Sequence, residues 1–143
     1  MKWHHRFYNL AEHVSRWSKD PSTKCGAVIV DQQKRIISIG FNGFPAKTKD
    51  NQNFYADRNI KYRRVLHAEL NAILFAKQDL TGTSIYIAPM LPCAQCAATI
   101  IQTGIANIFT KQFIDEEKID RWNKDFQISI EMFKESGVSF NFL

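Results

Sequence analysis

The chain has few cysteines and no long apolar segment, and these absences exclude several classes of protein. Its 143 residues include three cysteines, an odd number, and two of them form a C-x-x-C pair. A secreted disulfide framework normally has an even cysteine count. No segment approaches 18 consecutive apolar residues, and the first ten residues lack the apolar run of a signal peptide. We therefore expect no membrane span and a cytoplasmic protein.

Internal repeats, low-complexity tracts and evident linkers are also absent from the sequence, so residues 1–143 are expected to form one domain. A hydrophobic fraction of 45% and a charged fraction of 23% are typical of globular proteins. The net charge of +5 favours anionic partners, but it does not choose between a nucleotide and a nucleic acid.

Apolar periodicity predicts helices and strands that alternate along much of the chain. The predicted strands are short, and most are rich in β-branched residues; they lie at 27–30, 35–39, 84–88, 105–109 and 138–142. The predicted helices lie at 5–18, 55–64, from 67 onwards, 93–103 and 124–135. This order predicts a layered α/β domain with a mixed sheet, whose last two strands run parallel because a helix joins them.

The C-x-x-C pair consists of Cys93 and Cys96, directly after Pro92, which suits the first turn of a helix. Helical residues three apart share a face, so both sulfurs can reach one ion. The positive end of the helix dipole also favours the thiolate, which is the form that binds metal. Taken alone, the pair is compatible with a zinc site, a redox pair or two incidental thiols.

A second motif, His67-Ala68-Glu69, lies 26 residues before Cys93. The combination H-x-E followed by P-C-x-x-C is the pattern of zinc deaminases that act on nucleobases. One imidazole and two thiolates would bind zinc and leave its fourth tetrahedral position for water. The sequence thus predicts that His67, Cys93 and Cys96 hold one zinc ion.

Glu69 is predicted to be the catalytic acid and base. It would take a proton from water, protonate the ring nitrogen of the base and later pass a proton to the departing ammonia. The alternative interpretation is an acid that stabilises the first turn of a helix through the helix dipole. We expect Cys25, which lacks a partner in the sequence pattern, to be a buried thiol.

The chain resembles the cytidine and deoxycytidylate deaminase family over nearly its whole length. The stretches that carry the resemblance are 18–30, 40–45, 67–74 and 92–97. The Gly-Phe-Asn-Gly-Phe-Pro turn and the short C-terminal helix and strand are most similar to the deoxycytidylate (dCMP) branch. The resemblance implies a three-layer αβα fold with a five-stranded mixed sheet. It also implies hydrolysis of dCMP to dUMP and ammonia.

The same resemblance implies substrate contacts and regulation. It places Asn42 beside the substrate sugar and the backbone of Ala88 beside the polar edge of the base. It also links residues 40–43 to a dCTP or dTTP effector and implies a homo-oligomer. Residues 43–66 contain neither Cys nor His, so we expect one zinc per chain. The basic residues in this region are candidates for a phosphate site, or else form a solvated surface; they are Arg58, Lys61, Arg63 and Arg64.

Two alternatives to a dCMP deaminase differ in class. The first is a deaminase of another base, such as cytidine, guanine or adenosine in transfer RNA, which would share the metal site; nucleic acid is nevertheless not the expected partner. The second is an inactive binding module stabilised by zinc. A structural zinc site normally has four protein ligands, whereas three are evident in this sequence. A redox protein would instead predict a reversible disulfide between the two motif cysteines.

Overall fold

The computed structural model describes residues 1–113 and 116–143. Its helices are α1 (Lys2–Ser15), α2 (Gln52–Ala56), α3 (Arg58–Arg64), α4 (Ala68–Ala76), α5 (Ala94–Gln102) and α6 (Glu116–Ser136). Its strands are β1 (Gly26–Val30), β2 (Ile36–Phe41), β3 (Ser84–Ala88), β4 (Asn107–Thr110) and β5 (Ser139–Phe142). All five predicted strands are therefore present, with ends within two residues of the predicted positions.

The strands form one mixed sheet in the order β2-β1-β3-β4-β5. β1 is antiparallel to both β2 and β3, and the short link at 31–35 joins it to β2 as a hairpin. β3, β4 and β5 run parallel to one another, since a helix connects each successive pair. The prediction that the last two strands are parallel is confirmed.

Helices cover both faces of the sheet. The side chains of β1 alternate between the two faces and pack against helices on each. Ala27 and Ile29 pack into the cluster formed with α4, α5 and α6. Val28 and Val30 point to the opposite face and pack against α1. Successive side chains of a strand point to opposite faces, so a fully apolar strand is suited to a sheet covered on both sides. The three-layer αβα fold is confirmed.

Two glycines allow helices to approach the sheet closely. A Cβ atom at Gly40 in β2 would lie 2.4 Å from both the Ala68 oxygen and the Ala72 nitrogen of α4. At Gly26 in β1, a Cβ atom would lie 2.1 Å from the Ala11 oxygen of α1. Close approach of this kind needs a residue without a side chain. Gly40 therefore fixes the depth at which α4 sits on the sheet.

Three predicted helix boundaries are wrong. α1 ends at Ser15, so Trp17 lies beyond it and is 50% exposed; residue 18 is instead buried in the following loop. The single helix predicted at 55–64 is two helices, divided at Asp57, whose side chain caps α3. α6 begins at Glu116, well before residue 124, because the largely charged stretch that precedes Lys124 has high helix propensity and extends the helix toward its start.

No helix among the described residues is both long and apolar enough to cross a bilayer.

Candidate active site

His67 and Glu69 lie at the start of α4. His67 has an extended backbone, with φ −70° and ψ 157°, and is the N-cap residue, so the helix begins one residue after the predicted start. Glu69 lies in the first turn and is 5% exposed. Close packing of α4 on Gly40 holds this turn against the sheet. A buried carboxylate is therefore fixed two residues from a metal-ligating type of side chain.

Cys93 and Cys96 are at the start of α5, where the structure brings them to His67. Cys93 is the N-cap residue of α5, and Cys96 lies one turn further along and is 1% exposed. His67 Nδ1 is 3.4 Å from Cys93 Sγ and 3.2 Å from Cys96 Sγ. The three ligand atoms lie within 4.8 Å of one another. One ion with bonds of about 2.0–2.3 Å can bridge donors at this separation.

The electrostatics of these groups fit a cation-binding site. Hydrogen bonds from Cys96 and His67 lower the pKa of Cys93, which favours its thiolate. The same thiolate raises the pKa of His67 to about 9, and the hydrogen bond with Cys93 raises the pKa of Cys96. Binding a metal ion would release these shared protons, because ligands bind deprotonated. One imidazole and two thiolates form a donor set that zinc prefers.

The Glu69 carboxyl group is buried, so its electrostatic environment differs from that of the exposed carboxylates of the chain. Its burial raises the pKa of the carboxyl group, since an ionised form would lose its hydration. The nearby His67 acts in the opposite direction. A carboxyl group with a raised pKa is suited to accepting and returning a proton near neutral pH.

A cavity of about 210 Å³ opens over this cluster. His67, Glu69 and Cys93 line its floor. Aromatic side chains from α2 and α6 form part of the wall; they are Tyr55, Trp122 and Phe126. These aromatics could not be assigned to the site from the sequence, because Tyr55 lies in a segment without a clear pattern and the other two lie in a helix after the motifs. Cys25 also lines the cavity; it is half-buried, whereas the sequence predicted a buried thiol.

Asn42 lines this cavity and is 6% exposed. Its Oδ1 accepts a hydrogen bond of 2.8 Å from the Cys25 N–H. Its Nδ2 donates to the Thr23 carbonyl at 2.9 Å and lies 3.4 Å from Asp20 Oδ2. The side chain therefore joins the turn after β2 to the loop before β1. Among the described residues, Oδ1 accepts this one side-chain hydrogen bond, whereas an amide oxygen can accept two.

Ala88 ends β3 and is 1% exposed, with its methyl group in the cluster that faces α1. The cavity lining includes Ile87 and Met90, which lie on either side of it in the chain. The predicted contact between the Ala88 backbone and a base stays a prediction.

The basic residues of α3 separate into two groups. Arg58 and Lys61 line the cavity. Lys61 forms an ion pair with Asp20, in which Nζ lies 2.8 Å from Oδ2. Arg64 instead stacks over the Phe54 ring, 4.4 Å from its centroid, and Arg63 is exposed. Only part of the basic run is therefore placed to meet a ligand in the cavity.

α6 contacts the start of the segment that carries Cys93 and Cys96, a role that the sequence did not predict. Ser129 is fully buried and its Oγ donates a hydrogen bond of 2.8 Å to the Pro92 carbonyl. Asp125, one turn earlier, accepts a hydrogen bond from the Ala94 N–H. An isolated serine and aspartate in an amphipathic helix give no sequence signal for such a role.

This fold and site are those of a zinc-dependent hydrolytic deaminase. The model of the cytidine and deoxycytidylate deaminase zinc-binding region matches residues 1–112, and the chain belongs to that family. The matched region contains both motifs and ends before α6. The family assignment favours a deaminase over an inactive zinc-stabilised module and over a redox protein.

Relatives cover nearly the whole chain. An uncharacterised deaminase from the luxG 3′ region of Aliivibrio fischeri is 47% identical over 99% of this chain and 94% of its own length. Deoxycytidylate deaminase of Mus musculus is 34% identical over 98% of this chain and 79% of its own length. The crystal structure of dCMP deaminase from cyanophage S-TIM5 in apo form superposes with a TM-score of 0.77. It is 22% identical and covers 99% of this chain and 98% of that chain, which shows a common fold.

Proposed function

We propose that the protein hydrolyses dCMP to dUMP and ammonia with the help of one zinc ion. The observation that carries this proposal is a buried Glu69 beside three converging ligands at the floor of a cavity. The similarity to the mouse enzyme, named deoxycytidylate deaminase, supports a cytosine nucleotide as the substrate. The cyanophage enzyme, crystallised in complex with dCMP and dUMP, has the same fold, with a TM-score of 0.74.

His67, Cys93 and Cys96 would hold the zinc ion, which supplies Lewis acidity that lowers the pKa of water. Glu69 would then transfer the protons of the reaction. Its carboxylate accepts a proton from the attacking water and delivers it to the ring nitrogen of cytosine, while the water oxygen bonds to C4. A second proton reaches the exocyclic nitrogen through Glu69, the C4–N bond breaks, and ammonia leaves. Burial favours the protonated carboxyl group between these steps.

Asn42 is proposed to contact the sugar. The remaining lone pair of its Oδ1 can accept a hydrogen bond from a sugar hydroxyl, while its amide hydrogens stay engaged with the loop before β1. The Ala88 backbone is proposed to lie near the polar edge of the base, because Ile87 and Met90 on either side of it line the same cavity as His67. These two contacts would set the orientation of the base toward Glu69.

Arg58 is the proposed phosphate contact. It lines the cavity at the start of α3 and is exposed, so its guanidinium can reach a charged group at the cavity mouth. Lys61 lines the same cavity, but its charge is already paired with Asp20. A guanidinium suits a phosphate because it can donate two parallel hydrogen bonds.

The first test is ammonia release from dCMP, CMP, deoxycytidine, cytidine, cytosine and guanine, with the zinc content of the protein measured in parallel. We expect about one zinc per chain and a preference for dCMP. Turnover of a transfer RNA stem-loop but none of these compounds would contradict the proposal and favour a transfer-RNA deaminase. Stoichiometric zinc with no turnover of any substrate would favour an inactive module.

We also propose a homo-oligomer. α4 presents Leu74 and Phe75 to solvent, with 56% and 65% of their surfaces exposed. A helix that is apolar on all sides is typically covered by protein on all sides, which supports a second copy on this face. Light scattering should give a mass above that of one chain, and Leu74→Ser with Phe75→Ser should lower it. A monomeric wild-type protein would contradict this proposal.

Regulation by dCTP or dTTP at residues 40–43, and a cytoplasmic location, remain predictions from the sequence. Adding each triphosphate to the dCMP assay tests the first of them. A change in the midpoint or steepness of the dCMP saturation curve is expected, and unchanged curves at millimolar triphosphate would contradict it.

A further inference from the structure

α3 forms part of the cavity wall although none of its side chains is buried; the structure describes all seven of its residues. Arg58, Lys61 and Tyr62 line the cavity from this helix. A helix of this length has little stability of its own in water, because few hydrogen bonds offset the cost of starting it. Contacts with the rest of the molecule must therefore hold α3 in place.

One such contact is an ion pair between Lys61 and Asp20. Lys61 Nζ lies 2.8 Å from Asp20 Oδ2 and 3.0 Å from Oδ1. The two side chains are 13% and 2% exposed, respectively. Asp20 is far away in sequence, in the loop between α1 and β1. The pair thus links α3, which lines the cavity, to the loop between α1 and β1.

The Asp20 carboxylate also contacts residues other than Lys61. Its Oδ1 accepts hydrogen bonds from the Ser22 and Thr23 N–H groups at 2.9 and 3.4 Å, which shapes its own loop. Its Oδ2 lies 3.4 Å from Asn42 Nδ2, and Asn42 also bonds the same loop. One buried carboxylate therefore touches three segments that border the cavity.

We infer that Asp20 is a positioning residue that fixes α3 and Asn42 around the cavity and thereby sets the affinity for substrate. This inference rests on the proposed function. Without the carboxylate charge, the partly buried Lys61 ammonium lacks its counter-charge, and a movement of this side chain toward water becomes favourable. Such a movement would displace α3 with Arg58. The Asn42 amide would lose one acceptor at the same time.

The chain contains a matched control for this ion pair. Lys19, the neighbour of Asp20, pairs with Asp50, which lies just before α2. This pair joins the same loop to the residues before α2, and its side chains are 66% and 38% exposed. Ion pairs at exposed positions contribute little to stability. Removing the Asp50 charge should therefore leave α3 in place.

The test compares Asp20→Asn, Lys61→Met, their double variant and Asp50→Asn in steady-state deamination of dCMP, with zinc content measured. Asp20→Asn and Lys61→Met should each raise KM about 10-fold or more, with kcat within about 3-fold and zinc unchanged. The double variant should be no worse than the single ones, because the pair acts as a unit. Asp50→Asn should keep the wild-type KM.

Hydrogen exchange supplies a readout that does not depend on deamination. Amides of residues 52–65 should exchange at least about 10-fold faster in Asp20→Asn and Lys61→Met than in Asp50→Asn, while α4 and α5 keep their protection. Unchanged exchange and unchanged KM in Lys61→Met, or in a folded Asp20→Asn, would overturn the inference. If wild-type protein deaminates no pyrimidine, the proposed function fails, and the exchange result alone decides whether Asp20 holds α3.

Discussion

The backbone N–H of Ala94 donates a hydrogen bond of 2.6 Å to the Asp125 carboxylate. This bond joins α6 to the first residue of α5, immediately after Cys93. The N-terminal N–H groups of a helix have no partner within the helix, so an acceptor from another element stabilises this end. A carboxylate also interacts favourably with the helix dipole. The C-terminal helix thus supports the segment that positions two of the proposed zinc ligands.

Replacing Asp125 with alanine should weaken the metal centre without removing a ligand. We expect a loss of about 1–2 kcal/mol in the free energy of unfolding, as for the loss of a helix-capping side chain. Zinc affinity should fall about 10-fold or more, because groups that orient metal ligands affect affinity strongly. Chemical denaturation and competition with a zinc chelator measure the two quantities. Glu131→Ala, at an exposed position on the same helix, is the control and should change neither.

Cys96→Ser should lower the zinc content well below one per chain and reduce stability. The side chain is 1% exposed and its sulfur lies 3.2 Å from His67 Nδ1, so a hydroxyl would replace a thiolate ligand at a buried position. Metal analysis after dialysis measures the content, and thermal unfolding with and without chelator measures the coupling. Chelation should lower the unfolding temperature of wild-type protein but hardly that of the variant.

Cys25→Ser is the matched control, since Cys25 lines the same cavity but lies outside the ligand cluster. It should keep the wild-type zinc content. Loss of zinc in this variant, or retention of zinc in Cys96→Ser, would contradict the ligand assignment.

The motif residues could be predicted from the sequence because their residue types and spacing indicate a metal site directly. His67, Cys93 and Cys96 are ligand types at helix starts, and the structure brings them together. The five strands were predictable for a similar reason: runs such as 84–88 are apolar, short and bounded by turn residues. Local pattern and tertiary structure agree in these elements.

The cavity wall could not be predicted in the same way, because it depends on contacts between distant segments. Asp20 and Lys61 are 41 residues apart, and neither lies in a pattern that indicates the other. Trp122 in α6 reaches the cavity through the packing of that helix beside α5, which no local periodicity encodes. The split of 55–64 into two helices similarly depends on one capping side chain, Asp57.

Gly40→Ala should destabilise the protein and disturb the metal centre together. The added Cβ would lie 2.4 Å from backbone atoms of Ala68 and Ala72, so α4 must move away from the sheet. Overpacking of this kind costs about 1–3 kcal/mol, and here it also shifts His67. Denaturation and zinc analysis measure both effects.

Gly43→Ala is the control for this substitution, because its Cβ would meet only the Tyr55 hydroxyl at 3.9 Å among the atoms of the described structure. It should keep near-normal stability and zinc content. Equal destabilisation by both variants would show that general loss of glycine flexibility, and not contact with α4, is responsible.

Glu69→Gln should retain zinc and lose nearly all turnover. The amide has the size of the carboxyl group, so the ligands stay in place, but it cannot accept and return a proton. A decrease in kcat of about 100-fold to 10,000-fold corresponds to the loss of general acid and base catalysis. Metal analysis and ammonia release on the same preparation measure the two properties. Glu135→Gln, exposed near the end of α6, should be fully active; an active Glu69→Gln would refute the proposed mechanism.

Arg58→Met should reduce the preference for a nucleotide over a nucleoside, because it removes a guanidinium that lines the cavity while keeping a side chain of similar length. A charge-assisted hydrogen bond contributes about 1.5–3 kcal/mol, so kcat/KM for dCMP should fall about 10-fold to 100-fold. The value for deoxycytidine should hardly change, since that substrate has no phosphate. Arg63→Met is the matched control: Arg63 lies on the same helix and is exposed, but it is outside the cavity lining, so both values should stay near wild type. A parallel fall for dCMP and deoxycytidine in Arg58→Met would instead place this arginine in the support of α3, and the phosphate contact would have to come from another residue.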